Sequence, residues 1–266
     1  MAWSTAADVP DQTGRVALVT GANSGLGLEV VRALAARGAR VLMACRNPAK
    51  AAAAAADVRT GDPAGRVEVV PLDLASQASV SDLAAELVAN ERSLDLLVNN
   101  AGLMATDEAR TEDGFEMQFG VNHLGHFALT ARLAPLLFAT EGSRVVTVSS
   151  FGHRGPGLDL DDLNADRKPY KRWPAYFQSK LANLLFALEL QRRLDAAART
   201  SPRSLAAHPG GARTDLGSEG HGSTNKLIAP FMRFTTQSAA AGAMPILRAG
   251  TDPDARYDRP GYEDKS

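Results

Sequence analysis

Arg15-Val16-Ala17-Leu18-Val19-Thr20-Gly21-Ala22-Asn23-Ser24-Gly25-Leu26-Gly27 is the stretch from which the fold is read. Its first six residues are a nearly continuous apolar run, the pattern of a strand buried on both faces of a parallel sheet. Glycines follow, and residues 28–37 then carry apolar side chains at helical spacing until Gly38 closes the segment. Strand, glycine loop and helix in that order aim backbone N–H groups and a helix N-terminus at a phosphate, and the glycines let backbone and ligand approach closely. Gly21, Asn23, Ser24, Gly25, Leu26 and Gly27 are therefore candidates for holding a dinucleotide pyrophosphate. The spacing Gly21, Gly25, Gly27 departs from the G-x-G-x-x-G fingerprint of many dinucleotide folds.

Downstream the unit repeats. Residues 39–44 form a second strand, and Arg46 stands about 20 residues beyond the glycines, where dinucleotide folds meet the adenosine ribose. A guanidinium fork suits a 2′-phosphate, which favours NADP over NAD; an ordinary surface arginine at a strand end is the competing reading. Helix 48–59 and strand 66–72 lead to Asp73 and Leu74, which either flank an adenine or, for Asp73, cap the helix that runs over 76–90. Strand 94–98 runs into Asn99-Asn100-Ala101-Gly102. A long helix over 111–139, strand 144–149, the helix opened by Tyr176, strand 203–207 and a helix over 236–248 complete the alternation. Strands alternating with helices predict one doubly wound Rossmann-type α/β domain over residues 1–266, with a parallel sheet of six or seven strands. Ligands of such sheets lie at the carboxyl ends of the strands, and every polar motif named so far follows a strand.

Tyr176-Phe177-Gln178-Ser179-Lys180 brings a phenol and an ammonium one helical turn apart, on one face. A nearby cation favours phenolate, so Lys180 is expected to pull Tyr176 down from its ordinary pKa of about 10. That spacing suits acid/base chemistry.

Composition bounds the partners. The formal net charge of the 266 residues is −1, with both signs interspersed, so no basic stripe exists for nucleic acid or an acidic membrane. The lone cysteine, Cys45, leaves no internal disulfide and no Cys-rich metal framework, and suits a reducing cytoplasm. Residues 1–14 are polar and do not read as a secretory signal, and no apolar run approaches the roughly 18 residues of a membrane span. A small molecule is the expected partner.

Taken together, Thr20-Gly21-x-x-x-Gly25-x-Gly27, Asn99-Asn100-Ala101-Gly102, Ser150, Tyr176-x-x-x-Lys180 and Pro209-Gly210-x-x-x-Thr214 resemble the short-chain dehydrogenase/reductase family over about residues 15–215. Ala44-Cys45-Arg46, Val121-Asn122-His123-Leu124-Gly125-His126-Phe127 and Ser179-Lys180-Leu181-Ala182-Asn183 look most like its retinol dehydrogenase and WW-domain oxidoreductase-like branch, which carries the same arginine. The resemblance implies an NADP-dependent oxidoreductase acting on a hydrophobic alcohol, aldehyde or ketone. In it Tyr176 moves the proton, Lys180 lowers the tyrosine pKa and binds the nicotinamide ribose, and Ser150, with Ser149 as fallback, holds the substrate oxygen. Asn122 would hold a water linking Lys180 to solvent, Asn100 with Ala101 and Gly102 would form the strand edge beside the cofactor, and Thr214 with the backbone after Pro209 and Gly210 would hold its carboxamide or diphosphate. With the tyrosine supplying acid/base function, His123, His126, His153 and His208 are given no catalytic or metal role.

Two regions depart from the family pattern. Phe151, Leu158, Leu160, Leu163, Tyr170 and Trp173, with Leu216, Leu227, Ile228, Phe231, Met232 and Phe234 of the substrate-loop segment 209–235, suggest an apolar substrate cleft or simply packed loops. Residues 251–266 form a short charged tail where relatives continue with a strand and helix, so a non-catalytic NADP-binding sensor on the same fold is the alternative. Apolar side chains on more than one face of the Tyr176 helix and of the helix holding Phe115, Phe119 and Phe127 want a cover, which points to a homodimer or homotetramer.

Overall fold

The computed structural model describes residues 3, 5–61, 63–210 and 238–255. Among them six strands form one parallel sheet: β1 (Val16–Thr20), β2 (Arg40–Cys45), β3 (Arg66–Pro71), β4 (Leu96–Asn99), β5 (Arg144–Val148) and β6 (Arg203–Ala207). Their order is β3-β2-β1-β4-β5-β6, so the winding reverses between β1 and β4 and opens a crevice there. The sequence allowed six strands or seven; six pair among the described residues.

The helices are α1 (Gly25–Ala36), α2 (Pro48–Thr60), α3 (Gln77–Asn90), α4 (Met117–Phe119), α5 (Gly125–Arg132), α6 (Ala134–Ala139), α7 (Arg172–Ala196) and α8 (Ala239–Thr251). Alternation along each strand sorts the core into two layers. Ala17, Val19, Val41, Met43, Leu96 and Val98 pack with Val30 and Leu34 of α1 and with Ile246 and Leu247 of α8. Leu18, Leu42 and Leu97 point the other way, against Leu83 and Leu87 of α3 and Leu129 of α5. Each Val, Leu, Ile or Met among them contributes about 1.5–3 kcal/mol by leaving water, which makes the sheet a rigid base for its carboxyl edge.

Three helices differ from expectation. The helix expected over 111–139 begins at Met117, because Thr111 takes the Phe115 main chain into a turn that Glu116 then caps. It is interrupted by a π turn, Gly120–Leu124, and again ahead of Pro135, whose ring has no N–H to give. α7 starts at Arg172 rather than at Tyr176, with Pro174 in the first turn where its fixed φ is favourable, so Tyr176 and Lys180 sit in a fully formed helix. The last helix starts at Ala239, capped by Ser238, rather than near residue 236.

Candidate active site

A cleft of about 690 Å3 opens at the carboxyl ends of β1, β2 and β4 and is lined by Gly21, Asn23, Ser24, Gly25, Leu26 and Gly27, by Arg46, Asp73 and Leu74, and by Asn100, Ala101 and Gly102. These twelve lining positions all follow strand ends, whereas Lys50, Leu103 and Met104, which also line the cleft, carry no such signal in the sequence.

The cleft fits a dinucleotide on its own geometry. Ser24 sits at the N-cap of α1 in extended conformation and makes no side-chain cap bond, so its hydroxyl remains for a ligand at a helix N-terminus. A methyl group on Gly27 would lie 2.4 Å from the Gly21 carbonyl oxygen and 2.6 Å from Asn100 Nδ2, so only glycine lets α1 start this close to β1. Gly21 has φ +62°, and a Cβ there would lie 2.9 Å from Ala101 Cα. At the opposite end Arg46 is joined by Lys50, placed in the first turn of α2 because Asn47 Oδ1 accepts the Lys50 N–H at 3.0 Å. Two cations at the adenosine end suit a 2′-phosphate. Asp73 is not the cap of α3: Ser76 is, and Asp73 Oδ1 instead accepts the Ala75 N–H at 2.9 Å, which fixes the turn beside Leu74.

The motif after β4 is tied to β1. The Thr20 hydroxyl oxygen accepts the Asn100 and Ala101 N–H groups, each at 2.9 Å, and Asn100 Nδ2 donates to the Thr20 carbonyl at 2.8 Å. Beyond it Gly102 separates the cleft from the catalytic candidates, since a Cβ on Gly102 would lie 3.3 Å from Lys180 Nζ and 3.2 Å from Asn122 Oδ1.

Tyr176, Lys180 and Ser150 come together there. Tyr176 is buried, with Trp173 edge-on at 6.2 Å between ring centroids. Lys180 Nζ lies 5.9 Å from the Tyr176 ring centroid and donates to the Val148 carbonyl at 3.3 Å. Burial lowers Lys180 to about 8. Burial also raises the Tyr176 phenol, and a hydrogen bond with Ser150 pulls only part of the way back. The sign is the reverse of the sequence expectation, because desolvation of the phenolate outweighs a lysine that is itself desolvated and turned to Val148. Ser149 is removed as an alternative to Ser150: it is buried, and its hydroxyl donates to the Lys180 carbonyl at 2.8 Å.

Asn122 lies in the π turn with both ends of its amide engaged. Oδ1 accepts the Leu103 N–H at 2.7 Å, and Nδ2 donates to the Leu103 carbonyl and to Ser179 Oγ, each at 2.9 Å. The side chain thus clamps the segment beside Gly102, and Oδ1, which accepts one bond, keeps a second lone pair.

The apolar residues expected in one substrate cleft divide between two places. Phe151 packs edge-on against His208 at 4.0 Å and Trp173 stays beside Tyr176. Leu158, Leu160 and Leu163 instead line a second groove of about 530 Å3 with Phe119, Phe127 and Phe186. Polar bonds turn the loop that way: Gln178 accepts the Asp159 N–H at 2.9 Å and donates to the Leu163 carbonyl at 3.1 Å. Tyr170 is in neither place, since it joins buried Glu116 and Gln118, whose Nε2 donates to its hydroxyl at 2.8 Å. Pro209 and Gly210 follow β6 on the same sheet edge, while Thr214 and residues 216–234 lie outside the described residues. Among the described residues no group of three or more His, Cys, Asp or Glu could hold a metal ion.

Residues 15–221 match the family model for the short chain dehydrogenase. Retinol dehydrogenase 13 of Homo sapiens is 44% identical over 236 residues, covering 87% of this chain and 70% of its own. Retinol dehydrogenase 12 of Homo sapiens is 40% identical over 244 residues, covering 90% and 75%. An uncharacterized protein from Mycobacterium paratuberculosis superposes with a TM-score of 0.76 at 47% identity, over 94% of this chain and 81% of that one. A short-chain dehydrogenase from Sphingobium yanoikuyae in complex with NADPH shares the fold at 21% identity, with a TM-score of 0.69 over 88% of this chain and 83% of that one.

Proposed function

The chain belongs to the short-chain dehydrogenase family and is an oxidoreductase interconverting alcohols and carbonyl compounds with a nicotinamide dinucleotide; from that premise we propose that it prefers NADP and acts on a hydrophobic aldehyde, ketone or alcohol, with Tyr176 as general acid and base. The observation that carries the reading is the convergence of Ser150, Tyr176 and Lys180 across Gly102 from a cleft whose far end presents Arg46 and Lys50. When bound, the nicotinamide supplies or takes the hydride. In reduction the Tyr176 hydroxyl gives its proton to the carbonyl oxygen, and in oxidation it takes one back. Ser150 donates to the same oxygen and steadies the charge that develops on it. Lys180, charged below about pH 8, stabilises the phenolate left behind. Burial keeps the phenol protonated at neutral pH, the form that gives its proton to a carbonyl oxygen.

Hydrophobic substrates fit the apolar surroundings of Tyr176, where Trp173 and Phe177 make tilted and edge-on ring contacts and Phe151 is exposed; the relatives named as retinol dehydrogenases support the same class. The second groove supports a homodimer or homotetramer, because Phe127, Leu160 and Leu185 are exposed on it together and association would cover them. Among the described residues no helix is long and apolar enough to cross a membrane; the cytoplasmic placement rests on the lone cysteine. The test is NADPH oxidation by the purified protein with a panel of aldehydes and ketones of increasing apolar size. The expected result is turnover that grows with apolar bulk and is weaker with NADH; turnover confined to small polar carbonyls would overturn the substrate class.

A further inference from the structure

The π turn Gly120–Leu124 carries Asn122, and in an α-helix the Asn122 carbonyl would accept the main-chain N–H four residues on, at His126. Here the His126 imidazole reaches that carbonyl, with Nδ1 at 2.9 Å from it and Nε2 at 2.8 Å from the Thr20 hydroxyl. The proton positions follow from valence. A carbonyl only accepts, so Nδ1 carries the hydrogen and Nε2 of the neutral ring is left to accept. The Thr20 oxygen already accepts two N–H groups, so its own hydrogen goes to Nε2, which is nearer than the Val98 carbonyl at 3.3 Å. Complete burial pushes His126 down to about 4, which keeps the ring neutral wherever the enzyme works.

The bonds form a continuous path. The Asn100 and Ala101 N–H groups bind Thr20, Thr20 binds His126, and His126 binds the Asn122 carbonyl. The Asn122 amide grips Leu103 and donates to Ser179 Oγ, which donates to the Tyr176 carbonyl at 2.7 Å. We infer that His126 is a positioning residue: by joining the Thr20 hydroxyl to the Asn122 carbonyl it holds the π turn in place, and so fixes Leu103 and Gly102 beside Lys180 and the backbone of Tyr176. The inference deepens the proposed function, and its catalytic consequence rests on that reading.

Two substitutions separate the two bonds. In His126→Asn the side-chain amide reproduces the Nδ1 donor and keeps the Asn122 bond; in His126→Gln the amide oxygen reproduces Nε2 and keeps only the Thr20 bond. His126→Phe keeps neither. Nitrogen NMR of the unaltered protein with labelled histidine reads the tautomer and requires no variant to fold; the neutral Nδ1–H form is expected, and the Nε2–H form or a charged ring at neutral pH overturns the inference. Amide exchange then follows Leu103, expected to stay protected in His126→Asn and to open in His126→Gln and His126→Phe. With an active substrate, kcat should fall about 10- to 100-fold in His126→Gln and His126→Phe while NADPH affinity changes less than about threefold, and His126→Asn should restore kcat. Equal loss of kcat, affinity and protection in all three variants would mean a general structural role and overturn the inference, as would unchanged kcat and Leu103 protection in His126→Phe. Absence of wild-type turnover is a failure of the proposed activity instead, and the Leu103 readout then decides the positioning role by itself.

Discussion

The two ends of α7 are built on opposite principles. Its first half holds Tyr176, Ser179, Lys180 and Asn183, all buried and each tied to a named partner. Its second half presents Leu185, Phe186 and Leu190 to an apolar groove in which His123 meets Phe119, Phe127 and Phe186 through ring contacts. In the first half each atom has one geometry that works, because an unpaired polar group in a low-dielectric setting is costly. In the second, shape and apolar area suffice, and many side chains would serve. Chemistry depends on the first kind of construction and association on the second, so substitutions at the two ends should separate activity from assembly.

Lys180→Met sharpens that contrast most. It should cost at least about 100-fold in kcat, yet raise stability, because the Val148 carbonyl keeps its bond from Asn183 while a buried charge is removed. The unfolded chain binds this proton more tightly than the folded one, with pKa 10.5 against about 8. Folding therefore loses stability, on the order of 3 kcal/mol, below about pH 8 and regains it as the pH rises towards 10.5. Urea unfolding of wild type and variant at neutral pH and near pH 10 checks it: the gap should narrow at the higher pH. A variant both inactive and less stable at neutral pH would contradict the account.

Arg46→Asp comes next. Fluorescence titration should show NADPH affinity falling about 10- to 100-fold with NADH affinity little changed or improved, since charge-assisted bonds to the 2′-phosphate are lost. An unchanged ratio would leave the selection to Lys50 or to neither cation. The smallest effect on turnover is expected from Phe186→Glu, which puts a charge into the groove. Light scattering should show the assembly dissociating while kcat stays within about twofold, and a wild-type protein already monomeric at micromolar concentration would remove the groove from the argument.

The same contrast governs what could be read in advance. The glycine loop, Arg46, the segment from Asn99 to Gly102 and the Tyr176–Lys180 pair lie at fixed offsets from strands or along one helix, and local spacing therefore located them. Lys50 was equally legible: it stands four residues past Arg46, in a helical turn that Asn47 and Pro48 announce. The non-local features were not. Leu158, Leu160 and Leu163 gave an apolar signal, but their destination is set by Gln178, across a long loop. The sign of the tyrosine shift depended on burial, which spacing does not report. His126 was set aside because tyrosine supplied the proton, whereas its role depends on Thr20, 106 positions earlier in the chain.

The central claim is that Tyr176 is the acid and base of this cleft, and kcat of Tyr176→Phe measured beside its NADPH affinity tests it most directly. The substitution removes one hydroxyl from a buried ring and leaves the Gly21–Gly27 loop untouched. Turnover should fall by about 100- to 10,000-fold with affinity within about threefold of wild type. Turnover retained in that variant would place the proton transfer elsewhere and contradict the account.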